Sequence, residues 1–412
     1  MQIQRCKGCR DLTPWDMLRF RTVEAAFQES CKGWGYNEVR TPTLEYLYLF
    51  TSAGTLTPGM LRRVYSFLDW DGWSGERVVL KPDATIPVAR LYIDRMAGEG
   101  KTTRLFYVTN IFVFEETGTK NRERWQCGAE LIGINSAMAD AELVAVSLDV
   151  LKRLGFENIE LKLSHAGLMR ELLASLGLSH HEQDGIFDRI MDGEIDVLDT
   201  AGAAKPEVVE GLKLLFGTKG NSSGFLKNMR ALFAAHIPQT QTVLDGFIAV
   251  IDLIEAMGVK YQIDFTSGKG FEYYTGLIFR IYAGDENVGG GGRYDGLIPM
   301  MGGPEAPAAG FALYVDRLMS LIKTDNLLAP AGQRVSLDVE AEAIKDGMEL
   351  ADLLRRGGWI VSLALGERQS ADYGWLVEVR KEEPRLVAIN CANGQQTVCG
   401  SPVEVMATLG CG

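Results

Sequence analysis

At 412 residues, with a hydrophobic fraction of 46% and a charged fraction of 23%, the chain has the composition of a soluble globular protein too long for one ordinary core, so two domains are expected. Its formal net charge of -12 does not favour a chain whose main task is gripping a phosphate backbone, because such proteins carry basic patches. No apolar run is long enough to cross a bilayer and Met1 to Cys6 has no secretory character, so a cytoplasmic protein with no membrane partner is expected.

Near the N-terminus, Cys6-Lys7-Gly8-Cys9 is a lone CxxC among seven scattered cysteines. Cys391, Cys399 and Cys411 are conceivable zinc partners, but no second CxxC exists, and reduced, buried or incidental thiols are the preferred reading. Met17, Leu18, Phe20, Val23, Ala26 and Phe27 recur at helical spacing and predict a helix over 15–35, ended by Gly33 and Gly35. Residues 37–45 are expected as a short strand broken at Pro42, which has no N–H to give a ladder. Next come a strand at 77–83, a helix at 84–95, a long strand at 104–115 and a polar loop at 116–122. A strand at 125–134 and an amphipathic helix at 140–154 follow, and Ile159 to Leu163 alternates like a half-buried strand.

From about 166 to 257 helical patterns dominate, which predicts a helical insertion. Strand character returns at 261–265, 276–282 and 308–311, before a helix at 315–323 and a linker at 326–332. Beyond it, strands at 335–339, 359–365 and 386–390 and helices at 343–356 and 402–408 make a small α/β domain. The expected domains are therefore 1–328 and 329–412.

The densest motif is Gly268-Lys269-Gly270-Phe271-Glu272-Tyr273-Tyr274-Thr275-Gly276, followed by Gly289-Gly290-Gly291-Gly292-Arg293-Tyr294-Asp295. Two aromatic hydroxyls sit side by side in an expected strand, and a glycine hinge leads to an Arg-Tyr-Asp cluster. Each part has a plain structural reading: tyrosines pack, glycines make tight hairpins, Arg293 pairs with Asp295 or a neighbouring carboxylate, Glu130 is solvated, and Arg317 is a surface charge. The histidines His165, His180, His181 and His236 match no metal or triad spacing.

Taken in order, these segments resemble the histidyl-tRNA synthetases over roughly residues 7–325. Gly8-Cys9-Arg10-Asp11-Leu12-Thr13-Pro14 resembles that family's opening, and Pro42 the proline of its first, dimer-forming motif. Arg122-Glu123-Arg124-Trp125-Gln126-Cys127-Gly128-Ala129-Glu130 resembles the end of the second motif, and Ala309 to Leu318 the third. The resemblance implies an α/β (α+β) fold: a class II synthetase-like antiparallel sheet flanked by helices, with the helical insertion and the small C-terminal domain. It also implies an amino-acid pocket. A buried ammonium needs acceptors, which Asp83, Thr85 and Gln126 would supply. An imidazole needs polar partners on its ring edge, which Glu130 and Tyr274 would supply. Lys269, Tyr273 and Arg293 complete the expected histidine-binding set.

The nucleotide side departs from the synthetases. Where the family places an arginine on the α-phosphate this chain has Val113, which offers no charged fork. Lys269 replaces a second arginine, and Tyr314 stands where the third motif has glycine. Arg317 is kept. This combination resembles the regulatory subunits of ATP phosphoribosyltransferase, synthetase paralogues that no longer charge tRNA. Cys127 to Gly133, Asp140-Ala141-Glu142 and Asp83 in place of glutamate also fit that family, whereas the tail beyond the third motif is longer than in many of its members. The resemblance implies a non-catalytic subunit of histidine biosynthesis, with L-histidine as ligand and feedback effector. Its partners would be a short-form catalytic subunit in a hetero-oligomer and a second copy through the first-motif surface. No catalytic residue, cofactor or metal is implied, and tRNA is not expected as a partner. The alternatives are a histidyl-tRNA synthetase with unusual motifs and a paralogue acting on another small substrate or protein with the same pocket.

Overall fold

The structure, a computed structural model, describes residues 4–52, 64–69, 75–99, 102–114, 121–191, 194–201, 205–234, 236–267, 274–327, 333–364 and 373–410. The chain divides into two compact units, Met1–Leu327 and Leu328–Gly412. In the first, helix α1 (Pro14–Gly33) opens at a capping box. The Thr13 hydroxyl accepts from the Asp16 N–H at 3.3 Å, and the Asp16 carboxylate accepts from the Thr13 N–H at 2.9 Å. Pro14 stands at the first helical position, where a missing N–H costs nothing.

The elements that follow are β1 (Asn37–Glu38), β2 (Leu44–Tyr46), α2 (Leu47–Ser52), β3 (Ser66–Leu68), β4 (Arg77–Leu80), α3 (Thr85–Arg95), β5 (Thr103–Phe112), β6 (Glu123–Ile132) and α4 (Ala137–Arg153). Strand β7 (Ile159–His165) leads into the helical insertion: α5 (Ala166–Ala174), α6 (His180–Met191), α7 (Val197–Ala201), α8 (Pro206–Gly217), α9 (Ser223–Phe233) and α10 (Thr240–Ala256). Then come β8 (Tyr261–Ile263), β9 (Leu277–Ala283), β10 (Glu286–Arg293), α11 (Leu297–Met300), β11 (Ala308–Tyr314) and α12 (Val315–Leu321). Eight strands form one sheet in the order β1-β5-β6-β11-β10-β9-β7-β8, antiparallel except at its two outer pairs. A smaller sheet runs β2-β4-β3. The strand expected over 37–45 is thus two strands in different sheets, with Pro42 in the gap where no ladder donor is needed.

Alternation along β6 decides what lies on each side of the large sheet. Cys127, Ala129 and Leu131 join Phe20, Val23 and Phe27 of α1 and Leu143 and Val144 of α4 in the main core. Gln126, Gly128 and Glu130 therefore face the opposite side. The run Gly289–Gly292 corrects an expectation: it is not a hinge but lies within β10, paired on both edges in the middle of the sheet. Side chains are excluded there by backbone. A methyl on Gly290 would come within 2.5 Å of the Phe279 carbonyl, and one on Gly291 would collide with the Gly310 carbonyl.

In the second unit, β12 (Arg334–Val339), α13 (Ile344–Arg356), β13 (Ile360–Leu363), β14 (Trp375–Val379), β15 (Leu386–Asn390), β16 (Gln396–Cys399) and α14 (Pro402–Leu409) build a five-stranded sheet in the order β13-β12-β14-β15-β16. Its first three strands are parallel and the rest antiparallel. Val335, Leu337, Val377, Val379 and Ala388 pack against Leu350, Leu354 and Val405. Among the described residues no helix is long and apolar enough to cross a membrane.

Candidate functional site

On the side of the large sheet away from α1 and α4, the central strands are stripped of side chains. Glu130 of β6 lies opposite Gly310 of β11, which lies opposite Gly292 of β10. One rung along, Gly128, Ala312 and Gly290 repeat the pattern. Directly paired residues share a face, so these rungs form a trough floored by backbone. The glycines create room for particular neighbours. A methyl on Gly310 would collide with the Glu130 carboxylate, one on Gly128 with the Tyr107 ring, and one on Gly292 would come within 2.8 Å of the Tyr274 ring.

Glu130 is the centre of the arrangement and is only 1% exposed. The Tyr107 hydroxyl donates to one carboxyl oxygen at 3.2 Å, the Tyr294 hydroxyl donates to the other, and the Thr85 hydroxyl bonds the same carboxyl. Burial pushes Glu130 up to about 8; the hydroxyls oppose that shift and the nearby Asp83 carboxyl adds to it. Tyr107 is itself held well above the usual phenol range, by burial and then by Glu130, so it stays a donor. Asp83 sits at the foot of α3, where its carboxylate accepts from the Ile86 N–H at 2.9 Å and from the N–H groups of Thr85 and Ala84. Burial raises Asp83, and these N–H bonds oppose it. Tyr274 is also raised, first by burial and then by Tyr314, with Asp83 and Glu130 close by.

The structure thus brings Asp83, Thr85, Glu130 and Tyr274 around one space. Gln126 is buried on the same face of β6, opposite Tyr314. Lys269 and Tyr273 lie outside the described residues. Arg293 departs from the expected set. Strand alternation turns it to the helix side, where it binds Asp140 of α4 at 2.6 and 3.0 Å, Asp295 at 2.9 Å and the Ile134 carbonyl at 3.2 Å. It braces the sheet against α4 and does not line the trough. Asp295 in turn accepts from the Ala308 N–H at 3.0 Å. Neither Tyr107 nor Tyr294 belongs to the histidine-binding set expected from the sequence, although Tyr294 stands in its densest motif. The signal for Tyr294 was there, since it follows Gly292 by two residues on the same face. His165 caps α5 by accepting from the Leu168 N–H at 3.1 Å, and burial lowers it to about 4, so it is neutral.

The other end of the trough is built differently. The Val113 N–H donates to the Arg122 carbonyl at 2.8 Å. The Arg122 guanidinium lies 4.7 Å over the Phe114 ring, and Tyr65 meets that ring edge-on at 5.5 Å. Tyr314 carries the Arg317 guanidinium on its face at 5.0 Å, and Arg317 also donates to the Asn287 carbonyl. Among the described residues no group of three or more histidine, cysteine or carboxylate side chains is placed to hold a metal ion. A separate groove of about 350 Å³ runs between α1 and residues 40–43, lined by Phe20, Arg21, Glu24, Thr41, Asn110 and Trp125 among others.

A family model described as histidyl-tRNA synthetase matches residues 8–318. An ATP phosphoribosyltransferase regulatory subunit from Dehalococcoides mccartyi (strain 195) is 53% identical over 378 residues, covering 92% of each chain. A histidine–tRNA ligase from Pyrococcus furiosus is 32% identical over 92% of this chain and 90% of its own. A solved structure from Bacillus halodurans, titled as an ATP phosphoribosyltransferase regulatory subunit/histidyl-tRNA synthetase, shares the fold with a TM-score of 0.79 at 24% identity, covering 92% of this chain and 98% of that one. The histidyl-tRNA synthetase from Nostoc sp. PCC 7120 gives 0.76 at 18%, covering 99% of this chain and 100% of that one. On these matches the chain belongs to the histidyl-tRNA synthetase-like family and, within it, to the ATP phosphoribosyltransferase regulatory subunits.

Proposed function

We propose that this chain is a histidine sensor that activates a separate, short-form ATP phosphoribosyltransferase catalytic subunit and lowers its activity when histidine accumulates. The observation that carries the reading is Glu130, a buried carboxyl held by the hydroxyls of Tyr107, Tyr294 and Thr85 beside a second carboxyl, Asp83. Two carboxyls at one end of a backbone-floored trough suit a ligand with a cationic amino group and a polar ring. In this reading L-histidine places its ammonium at Asp83, Thr85 and Gln126, and its ring between Glu130 and Tyr274. The Tyr107 and Tyr294 hydroxyls fix the orientation of the Glu130 oxygens, so an apolar ring of equal size would leave buried polar groups unpaired. Lys269 and Tyr273 belong to the same proposed pocket, while Arg293 supports it from behind.

Feedback requires histidine to bind two states of the assembly with different affinity. The groove between α1 and residues 40–43, which flanks Pro42, is the proposed seat of a second copy of the chain, inside a cytoplasmic hetero-oligomer with the catalytic subunit. Neither a cofactor nor tRNA takes part. The likeness to the Pyrococcus ligase supports a second reading, a histidyl-tRNA synthetase, but Val113 and the Tyr314–Arg317 stack leave that reading without an α-phosphate fork. Reconstitution with a short-form catalytic subunit tests the proposal. Phosphoribosyl transfer should need both chains and fall as histidine is added, and Glu130→Ala should raise the half-inhibitory histidine concentration more than about 100-fold. A catalytic subunit equally active alone, or unchanged inhibition with the variant, would contradict it.

A further inference from the structure

Lys81, in the link between β4 and α3, is fully buried. Among the described residues its ammonium meets only neutral atoms, the Thr41 hydroxyl at 3.2 Å and the Thr41 carbonyl at 3.4 Å. A buried cation without an ion pair is costly, and such groups persist where the surrounding fold gives them a task. Burial lowers the proton affinity of Lys81, and only the nearby carboxyls of Glu45 and Asp83 offset this. Glu45 is already claimed by Arg90 at 2.7 and 3.1 Å, and Arg90 also binds Asp94 at 3.2 Å. The charge of Lys81 therefore rests on Glu45, which Arg90 shares, and on Asp83, two residues away in the proposed pocket.

Its other attachments lead to the groove. The Lys81 N–H donates to the Thr43 carbonyl at 3.0 Å, and its carbonyl accepts from the Phe112 N–H at 3.0 Å. Thr41 and Thr43 line the groove. We infer that Lys81 couples occupation of the Asp83–Glu130 pocket to the Thr41–Thr43 wall of the groove, and so to the copy of this chain proposed to dock there. The inference rests on the histidine-binding reading. A ligand ammonium at Asp83 uses the negative field that steadies Lys81. Lys81 then leans harder on its remaining acceptors, the Thr41 carbonyl and hydroxyl, and draws the wall inward.

Hydrogen exchange on the whole protein, with and without saturating L-histidine, tests this. Wild-type amides in residues 40–46 should exchange at least about threefold more slowly with histidine. Lys81→Met keeps the length of the side chain without its charge. By calorimetry it should bind histidine within about fivefold of wild type, yet lose the histidine-induced protection at 40–46. Thr41→Val, which removes the hydroxyl acceptor, should weaken that protection and carries the test if Lys81→Met fails to fold. Wild-type binding without any change at 40–46, or the full wild-type response in a variant that folds, overturns the coupling alone. No histidine binding by the wild type overturns the pocket reading, and the coupling with it.

Discussion

At the Glu130 end of the trough, glycines remove side chains so that Tyr107, Tyr294, Thr85 and Asp83 converge on one carboxyl; at the Tyr314 end, aromatic rings are present and the arginines lie on them. Both ends rest on the same strands, β6 and β11. On the proposed reading, the difference is that of a fold which keeps one half of a two-substrate site and loses the other without changing its sheet. A carboxyl caged by hydroxyls is poised for a polar ligand. A guanidinium already seated on a tyrosine face and a backbone carbonyl must give up those contacts before it can grip a phosphate.

The largest way to break this comparison is Glu130→Ala. Calorimetry should show histidine affinity falling more than about 100-fold, with about 1–3 kcal/mol of stability lost as three hydroxyls lose their acceptor. Unchanged affinity would remove Glu130 from the pocket. Gly310→Ala comes next, because its methyl lands on the Glu130 carboxylate. A loss of affinity of about 10- to 100-fold with a stability loss of about 1–3 kcal/mol is expected, and a silent substitution would mean that the floor does not need to be bare. Tyr294→Phe removes one donor to a buried carboxyl and should cost about tenfold in affinity; Tyr107→Phe, with its bond of 3.2 Å, should cost no more.

The pH dependence of stability sharpens the same point. Glu130 stands at about 8 in the folded chain against an ordinary value of 4.5, so between those values the folded state holds a proton that the unfolded state has released. This group's contribution to stability is therefore full below the ordinary value and is lost as pH rises toward 8. Thermal unfolding from pH 5 to 8 should show Glu130→Gln losing a downward slope of at most about 1.4 kcal/mol per pH unit. Identical slopes in the two proteins would place Glu130 in a wetter site. The smallest expected effect is at the other end: Tyr314 meets the proposed pocket only at its edge, beside Tyr274 and opposite Gln126, so Tyr314→Gly should alter histidine affinity less than about threefold. A large loss would join the two ends into one site.

Much of the architecture was legible from periodicity. The long helices, the strands β5, β6 and β7 and the strand-poor stretch from 166 to 257 all follow from apolar spacing of 3.6 or 2. The glycine strand β10 was not, because glycine has low strand propensity and only the closeness of β9 and β11 explains it. At the site, Asp83, Thr85, Gln126 and Glu130 could be named from motif order, and parity along β6 places Gln126 and Glu130 on one face. The same parity, applied to Arg293-Tyr294, separates the brace from the cage residue. Tyr107 was hidden, since an aromatic in an apolar strand is usually packing. The burial of Lys81 against Thr41 depends on tertiary contacts that no local pattern encodes.

The central claim, that the chain holds histidine without activating it, is tested most directly by histidine-dependent ATP–pyrophosphate exchange at saturating histidine. The structure of the Val113 and Tyr314 end predicts no exchange above the rate without histidine. Robust exchange would contradict the account and make the chain a working synthetase.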